Sequence, residues 1–147
     1  LEMGLFDSIN ISATGMTAER TRMDVISENI SNANTTRTSS GTPYRRKMVT
    51  FEEKKPNFSS VLNGTLNSYN KSSGVKISGI VNDKTEFKQV YEPGHPDANE
   101  DGYVEMPNVD VVKEMVDMIS AARGYEANIT SLNSSKSMFT KALEIGK

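Results

Sequence analysis

Apolar residues return every seven positions through the first part of the chain, at Ile9, Met16, Met23 and Ile30. Leu5, Ala13 and Ile26 fill part of the seam between them. No proline occurs before Pro43. This spacing predicts one long helix over 5–32, on the order of 40 Å long at 1.5 Å per residue. Arg20 and Ser27 interrupt its second seam, so the stripe is imperfect. The run "NANTTRTSSGTP" is built from turn and loop formers and ends the helix. The last segment is more regular. Met115, Met118, Ala122, Tyr125, Ile129, Leu132, Phe139 and Leu143 alternate steps of three and four, broken only by Lys136. That is an a/d seam over about four heptads. Pro107 precedes it, and Asn108 is the expected N-cap. Acids lead (Asp110, Glu114, Asp117) and lysines follow (Lys136, Lys141, Lys147), an order that suits the helix dipole.

The stretch between the helices reads differently. "YRRKMVTFEE", "GVKISGIVND" and "EFKQVYE" carry β-branched and aromatic residues in rough alternation and predict strands. The Asn-, Ser- and Gly-rich run between the first two is expected to be a flexible loop over about 56–74. The predicted fold class is α+β: long N- and C-terminal helices paired as an antiparallel helical hairpin or coiled coil, with a small β-rich insert between them. The expected divisions are an N-terminal helix with its Asn/Thr-rich end at 3–36, a β-rich middle module at 37–107 and a C-terminal heptad helix at 108–147. A stripe left in water is unfavourable by roughly 25 cal/mol per Å² of apolar surface, and pairing the two helices is the simplest remedy.

Composition sharpens this picture. Of 147 residues, 35% are hydrophobic, 7% are aromatic and none is Trp, thin material for a compact core of this length. Such a chain completes its burial against partners. A net charge of −2 points to neither nucleic acid nor an anionic membrane surface. The absence of cysteine excludes disulfides, thiolate metal sites and a Cys nucleophile. No apolar run approaches a membrane span and no signal peptide is visible, which alone reads as cytosolic and leaves export without a cleaved signal open. Leu1-Glu2 ahead of Met3 reads as a cloning remnant, with Met3 as the natural start.

The stretch "DANEDGYVEMPN" is the most suggestive chemically. Asp97, Asn99, Asp101 and Gly102 match positions 1, 3, 5 and 6 of a calcium loop, but position 12 is Asn108 rather than a bidentate Glu. Pro93 and Pro96 oppose the helix that should precede such a loop, so no metal is expected. His95, the lone histidine, lies between prolines in "EPGHPD" with no nucleophile motif beside it, and a turn role outweighs a catalytic one. No constellation calls for an enzyme, a cofactor or a small-molecule substrate. Arg45-Arg46-Lys47, followed by mixed charges, reads as a solvated strand and turn. Gly124 inside the last helix is either tolerated or marks close approach by a neighbouring helix.

Two stretches resemble a known family. "ATGMTAERTRMDVISENISNANTT" (Ala13 to Thr36) is similar to the N-terminal signature of bacterial flagellar rod and hook axial proteins, with Thr14 a conservative departure from Ser. "VYEPGHPDANEDGYVEMPNVDVVKEMVDMISAARGYEANI" (Val90 to Ile129) resembles the proximal-rod members more closely still. The matched motif residues are Asn29, Asn32, Asn34 and Thr36, then Gly94, His95, Pro96, Asp97, Gly102, Tyr103, Pro107 and Asn108. The resemblance implies a structural subunit exported unfolded by the flagellar type III apparatus, without a cleaved signal peptide. It implies polymerisation with other copies and other rod proteins into the torque-transmitting shaft of the basal body, across the periplasm. Terminal helices would pack within and between subunits, and Ile9, Met16, Met23, Ile26, Ile30, Met115, Met118, Ala122, Tyr125, Ile129, Leu132, Phe139 and Leu143 are the expected packing positions. Self-association of the isolated chain need not be the biological contact. Without the resemblance, the alternative is a soluble adaptor that binds partner proteins through a helical hairpin.

Overall fold

A computed structural model of the chain describes residues 5–54 and 74–145. The loop expected over about 56–74 lies, apart from Gly74, outside these residues. The described elements are α1 (Leu5–Ser31), β1 (Lys47–Glu53), β2 (Val75–Asn82), β3 (Lys88–Tyr91), β4 (Tyr103–Met106) and α2 (Val111–Ile145). The fold is α+β, with the terminal helices paired and two small two-stranded sheets between them. The three expected strands are present as β1, β2 and β3. β4 is an addition to the three expected strands: "YVEM" is short and lies among turn residues.

The contacts gather the chain into two compact units, each discontinuous in sequence. One comprises Leu1–Thr21, Thr50–Gly79 and Ala121–Lys147; the other comprises Arg22–Val49 and Ile80–Ser120.

In the first unit, α1 runs antiparallel to α2, and each step along one helix is matched by an equal step back along the other. Ser8 Oγ meets Ser135 Oγ at 3.2 Å, and Ser12 Oγ donates to Ser131 Oγ at 3.4 Å. Gly15 faces Asn128, and Glu19 faces Gly124. Among the described residues, Ser12, Ala18, Ala121 and Ser135 are buried here. Small side chains at the contact let two helix axes approach closely. The close-approach reading of Gly124 therefore holds: a Cβ there would stand 3.2 Å from Glu19 Cδ. On the sheet side, Thr14 Oγ1 donates to Ile11 O and accepts the Val75 amide, joining α1 to the start of β2.

The second unit holds the larger core, with Val25, Ile26, Tyr44, Val104, Pro107 and Val109 buried. β3 and β4 form an antiparallel hairpin in which Val90 faces Val104 and Tyr91 faces Tyr103. The N-cap of α2 is Asp110, not Asn108. Asp110 Oδ1 accepts the amides of Val112 at 3.0 Å and Lys113 at 3.3 Å. An anionic cap also meets the positive end of the helix dipole. Asn108 is otherwise engaged: its Oδ1 accepts the Arg46 amide at 2.8 Å, and its Nδ2 donates to Thr85 Oγ1 at 2.8 Å.

The helix contact of the first unit yields a direct test. A Cβ at Gly15 would lie 2.8 Å from Asn128 Oδ1, and Asn128 Nδ2 is already bonded to Gly124 O at 2.9 Å. Gly15→Val overpacks this site and is expected to cost about 2 kcal/mol in thermal or denaturant unfolding. An unchanged unfolding midpoint would contradict the close approach.

Candidate functional site

The second unit is organised around Asn29, which is fully buried. Its Nδ2 donates to Lys47 O at 2.9 Å and Glu114 Oε2 at 3.0 Å. Its Oδ1 accepts the Lys47 amide at 2.9 Å and the Tyr44 hydroxyl at 3.0 Å. All four hydrogen-bonding positions of the amide are used. One side chain thereby joins the end of α1, the start of β1, the residue that leads into it and the first turn of α2.

Glu114 is the largest fully buried side chain in this set. Arg46 Nε donates to its Oε1 at 2.6 Å, so the buried carboxylate has a cation on one oxygen and an amide on the other. Arg46 is only 14% exposed and also reaches Asp83 at 3.4 Å and Asp117 at 3.6 Å. The solvated reading of Arg46 is therefore corrected: folding β1 against α2 drives the guanidinium into the core, where carboxylates compensate its desolvation. These contacts hold its pKa further above its ordinary value against the opposing effect of burial. The Asp83 carboxyl is held below its usual value, first by the Thr85 amide and then, once desolvation is offset, by Thr85 and Arg46 side chains. Burial, with Glu28 and Glu114 nearby, pushes the Tyr44 phenol up to about 12.

The motif residues of the turn belong to the same unit. Thr36 Oγ1 donates to Asp97 Oδ2 at 2.9 Å, and Arg37 pairs with Asp97 Oδ1 at 3.4 Å. His95 Nδ1 accepts the Asp97 amide at 3.0 Å. Asn99 Oδ1 accepts the amides of Asp101 and Tyr103, and Gly102 adopts φ +81°. Gly102 is buried, and a Cβ there would stand 2.9 Å from the Tyr91 ring, which meets Tyr103 edge-on at 5.3 Å. The acceptors that resemble a calcium loop thus hold turn amides and α1's trailing loop, and Gly102 leads into β4. Asn32 closes α1 by donating to Glu28 O at 2.9 Å. Asn34, Gly94 and Pro96 lie exposed, Pro107 is buried and Asn108 ties the turn to Arg46.

The apolar heptad positions are distributed otherwise. Ile26 is buried. Ile9, Met16, Met23, Ile30, Met118, Ala122, Tyr125, Ile129 and Leu132 are half-buried, and Met115, Phe139 and Leu143 are exposed. In the first unit, the centre of the helix contact is polar and small, not the Met- and Ile-rich pairing that the spacing predicts. A signal for it exists in the sequence. Ser8, Gly15, Arg22 and Asn29 recur every seven residues on α1, and Glu114, Ala121, Asn128 and Ser135 do so on α2. These series share the period of the apolar stripes at a different phase, and apolarity alone cannot choose between phases. Glu114, Arg46 and Tyr44 were missed because a charged or phenolic residue reads as surface until its partners are known.

The fold and this arrangement define a paired-helix protein whose motif residues are committed to packing and turn geometry. Two family models match: "Flagella basal body rod protein" over residues 9–37 and "Flagellar basal body rod FlgEFG protein C-terminal" over 100–145. The chain is 51% identical to the flagellar basal-body rod protein FlgC of Bacillus subtilis, covering 99% of this chain and all of the relative. It is 49% identical to that of Borreliella burgdorferi, over 97% of this chain and 98% of the relative. The figure for Escherichia coli O6:H1 is 39%, over 99% of this chain and all of the relative. The chain belongs to the FlgC family of flagellar basal-body rod proteins. Nothing in these matches supports the adaptor reading.

Two measurements check the hub. Glu114→Ala removes the buried carboxylate that takes the Arg46 Nε and Asn29 Nδ2 donors and is expected to cost about 3 kcal/mol or more of unfolding free energy, the range for breaking a buried ion pair; a loss below ~1 kcal/mol would contradict the burial. In a near-ultraviolet phenol titration, one phenol should ionise near pH 12, and Tyr44→Phe should remove that step. The folded chain holds this proton more tightly than the unfolded one. Its contribution is therefore complete below pH 10, the ordinary phenol value, and is lost as pH rises toward 12.

Proposed function

We propose that the chain is a structural subunit of the proximal rod that polymerises through its terminal helices into the torque-transmitting shaft of the flagellar basal body. The observation that carries this reading is end-to-end similarity to the Bacillus rod protein, 51% identity over 99% of the chain. The partners are other copies of the chain and other rod proteins. The flagellar type III apparatus exports it without a cleaved signal peptide, and its place is the rod across the periplasm. The role is mechanical: repeated interlocking of helices transmits torque without catalysis, cofactor or metal. The family's motif residues serve this role by fixing where α1 ends and α2 begins. The apolar heptad positions, from Ile9 to Leu143, supply packing within and between subunits.

Deleting Met115 to Lys147 removes nearly all of α2 and should abolish both incorporation into basal bodies and motility. Normal rods and swimming in that strain would overturn the proposal.

A further inference from the structure

Aspartate precedes glycine only at Asp101–Gly102, in the turn before β4. In an unfolded chain this pair is prone to rearrange. The Gly102 nitrogen attacks Asp101 Cγ, water leaves and a five-membered succinimide forms. Water then opens the ring. Attack at the side-chain carbonyl restores aspartate. Attack at the main-chain carbonyl breaks the bond from Asp101 C to Gly102 N and leaves the chain running through Cγ as isoaspartate. The net change is an isomerisation that needs water and no other reactant. Glycine favours it because no Cβ shields the attacking nitrogen.

The fold opposes each requirement of that step. The Gly102 amide donates to Asn99 O at 2.9 Å, which holds the proton that must leave for the attack. The same bond closes a four-residue turn from Asn99 to Gly102. Among the described residues only glycines have positive φ. Asp101, third in the turn, therefore excludes types II and I′ and gives type I. In that type the torsion about the Asp101 Cα–C bond is about 0°. The Gly102 nitrogen then eclipses the nitrogen of Asp101 and not its Cβ, so the ring closes only after a large rotation of the peptide. Neighbouring contacts resist the rotation. Asn99 Oδ1 accepts the Asp101 amide at 3.1 Å and the Tyr103 amide at 2.8 Å, and Gly102 O accepts the Glu92 amide at 2.9 Å. Tyr91 and Pro93 fill the space beside Gly102.

We propose that Asp101 is a latent isoaspartate site and that Asn99 is the positioning residue that keeps it closed. Isoaspartate adds one carbon to the main chain between Asp101 and Gly102. Tyr103 then loses either its bonds to Asn99 or its place opposite Tyr91. The hairpin that buries Val104 completely loses its register. The damage falls on chains that are unfolded or open at this turn and spares folded ones. The proposal is independent of the rod-subunit reading.

The full-length chain, incubated at neutral pH with mild heating, tests this. Isoaspartate at position 101 is read by tryptic peptide mapping with fragmentation that separates the isomers. Asn63–Gly64, which yields isoaspartate by losing ammonia, lies on a different tryptic peptide. The folded wild type should form isoaspartate at 101 about tenfold or more slowly than the same chain in denaturant. Asn99→Ala, folded by circular dichroism, should speed the reaction about fivefold or more over the folded wild type. Asn99→Asp keeps the acceptor and should hold near the wild-type rate. Should Asn99→Ala fail to fold, Asn99→Ser is the milder change and should also speed it. Equal rates in the folded and denatured wild type would overturn the proposal, as would no isoaspartate at 101 in the denatured chain. A folded Asn99→Ala or Asn99→Ser chain as slow as wild type would remove Asn99 from its role. So would an Asn99→Asp chain as fast as Asn99→Ala.

Discussion

A carboxylate with no exposure to water lies at the centre of the second unit, and the arrangement around it exists to make that tolerable. Burying Glu114 uncompensated would cost several kcal/mol. Arg46 and Asn29 take its two oxygens at 2.6 and 3.0 Å, and each is held in turn by other groups. Asn29 is fixed by Tyr44 and by both main-chain groups of Lys47; Arg46 is flanked by Asp83 and Asp117. Asn108 accepts the Arg46 amide and reaches Thr85, drawing in the turn that launches α2. Removing any member leaves a buried polar atom unsatisfied, so the elements meeting here are held in one arrangement and not a set of near-equivalents.

This choice separates two tasks that apolar packing would merge. A Met- and Ile-rich seam between two helices would be sticky but permissive, because long thioether and aliphatic side chains repack at little cost. Hydrogen-bonded groups and close-set glycines instead demand particular neighbours. In the first unit the serine pairs Ser8–Ser135 and Ser12–Ser131 and the Gly15 and Gly124 approaches fix the register of the helix pair. Met115, Phe139 and Leu143 are left exposed. For a subunit that functions only among others, specificity inside and adhesion outside is a coherent division.

Much of the fold was legible in the chain. The seven-residue period and the lack of proline placed α1 to within a residue of its observed end, and β-branched alternation found three of the four described strands. "YVEM" was missed because four residues among turn formers carry too little pattern. The N-cap was displaced from Asn108 to Asp110 because both are good caps in isolation, and only the loop bonds to Arg46 and Thr85 show which one is occupied. The packed seam was the chief loss. Its residues are small or polar, their stabilisation depends on partners distant in sequence, and periodicity reports the phase of apolar residues without saying which phase faces inward. The motif residues were legible as a set through the family resemblance, whereas the bond between Thr36 and Asp97 required the fold.

The most direct test of this account is a double-mutant cycle between Arg46 and Glu114. Unfolding free energies of the wild type, Arg46→Ala, Glu114→Ala and the double variant give the coupling between the two side chains. A bond of 2.6 Å to a carboxylate with no solvent exposure predicts a coupling of about 2 kcal/mol or more, with the double variant less damaged than the sum of the single changes. Additive losses, with coupling below ~0.5 kcal/mol, would contradict the claim that this buried pair organises the unit.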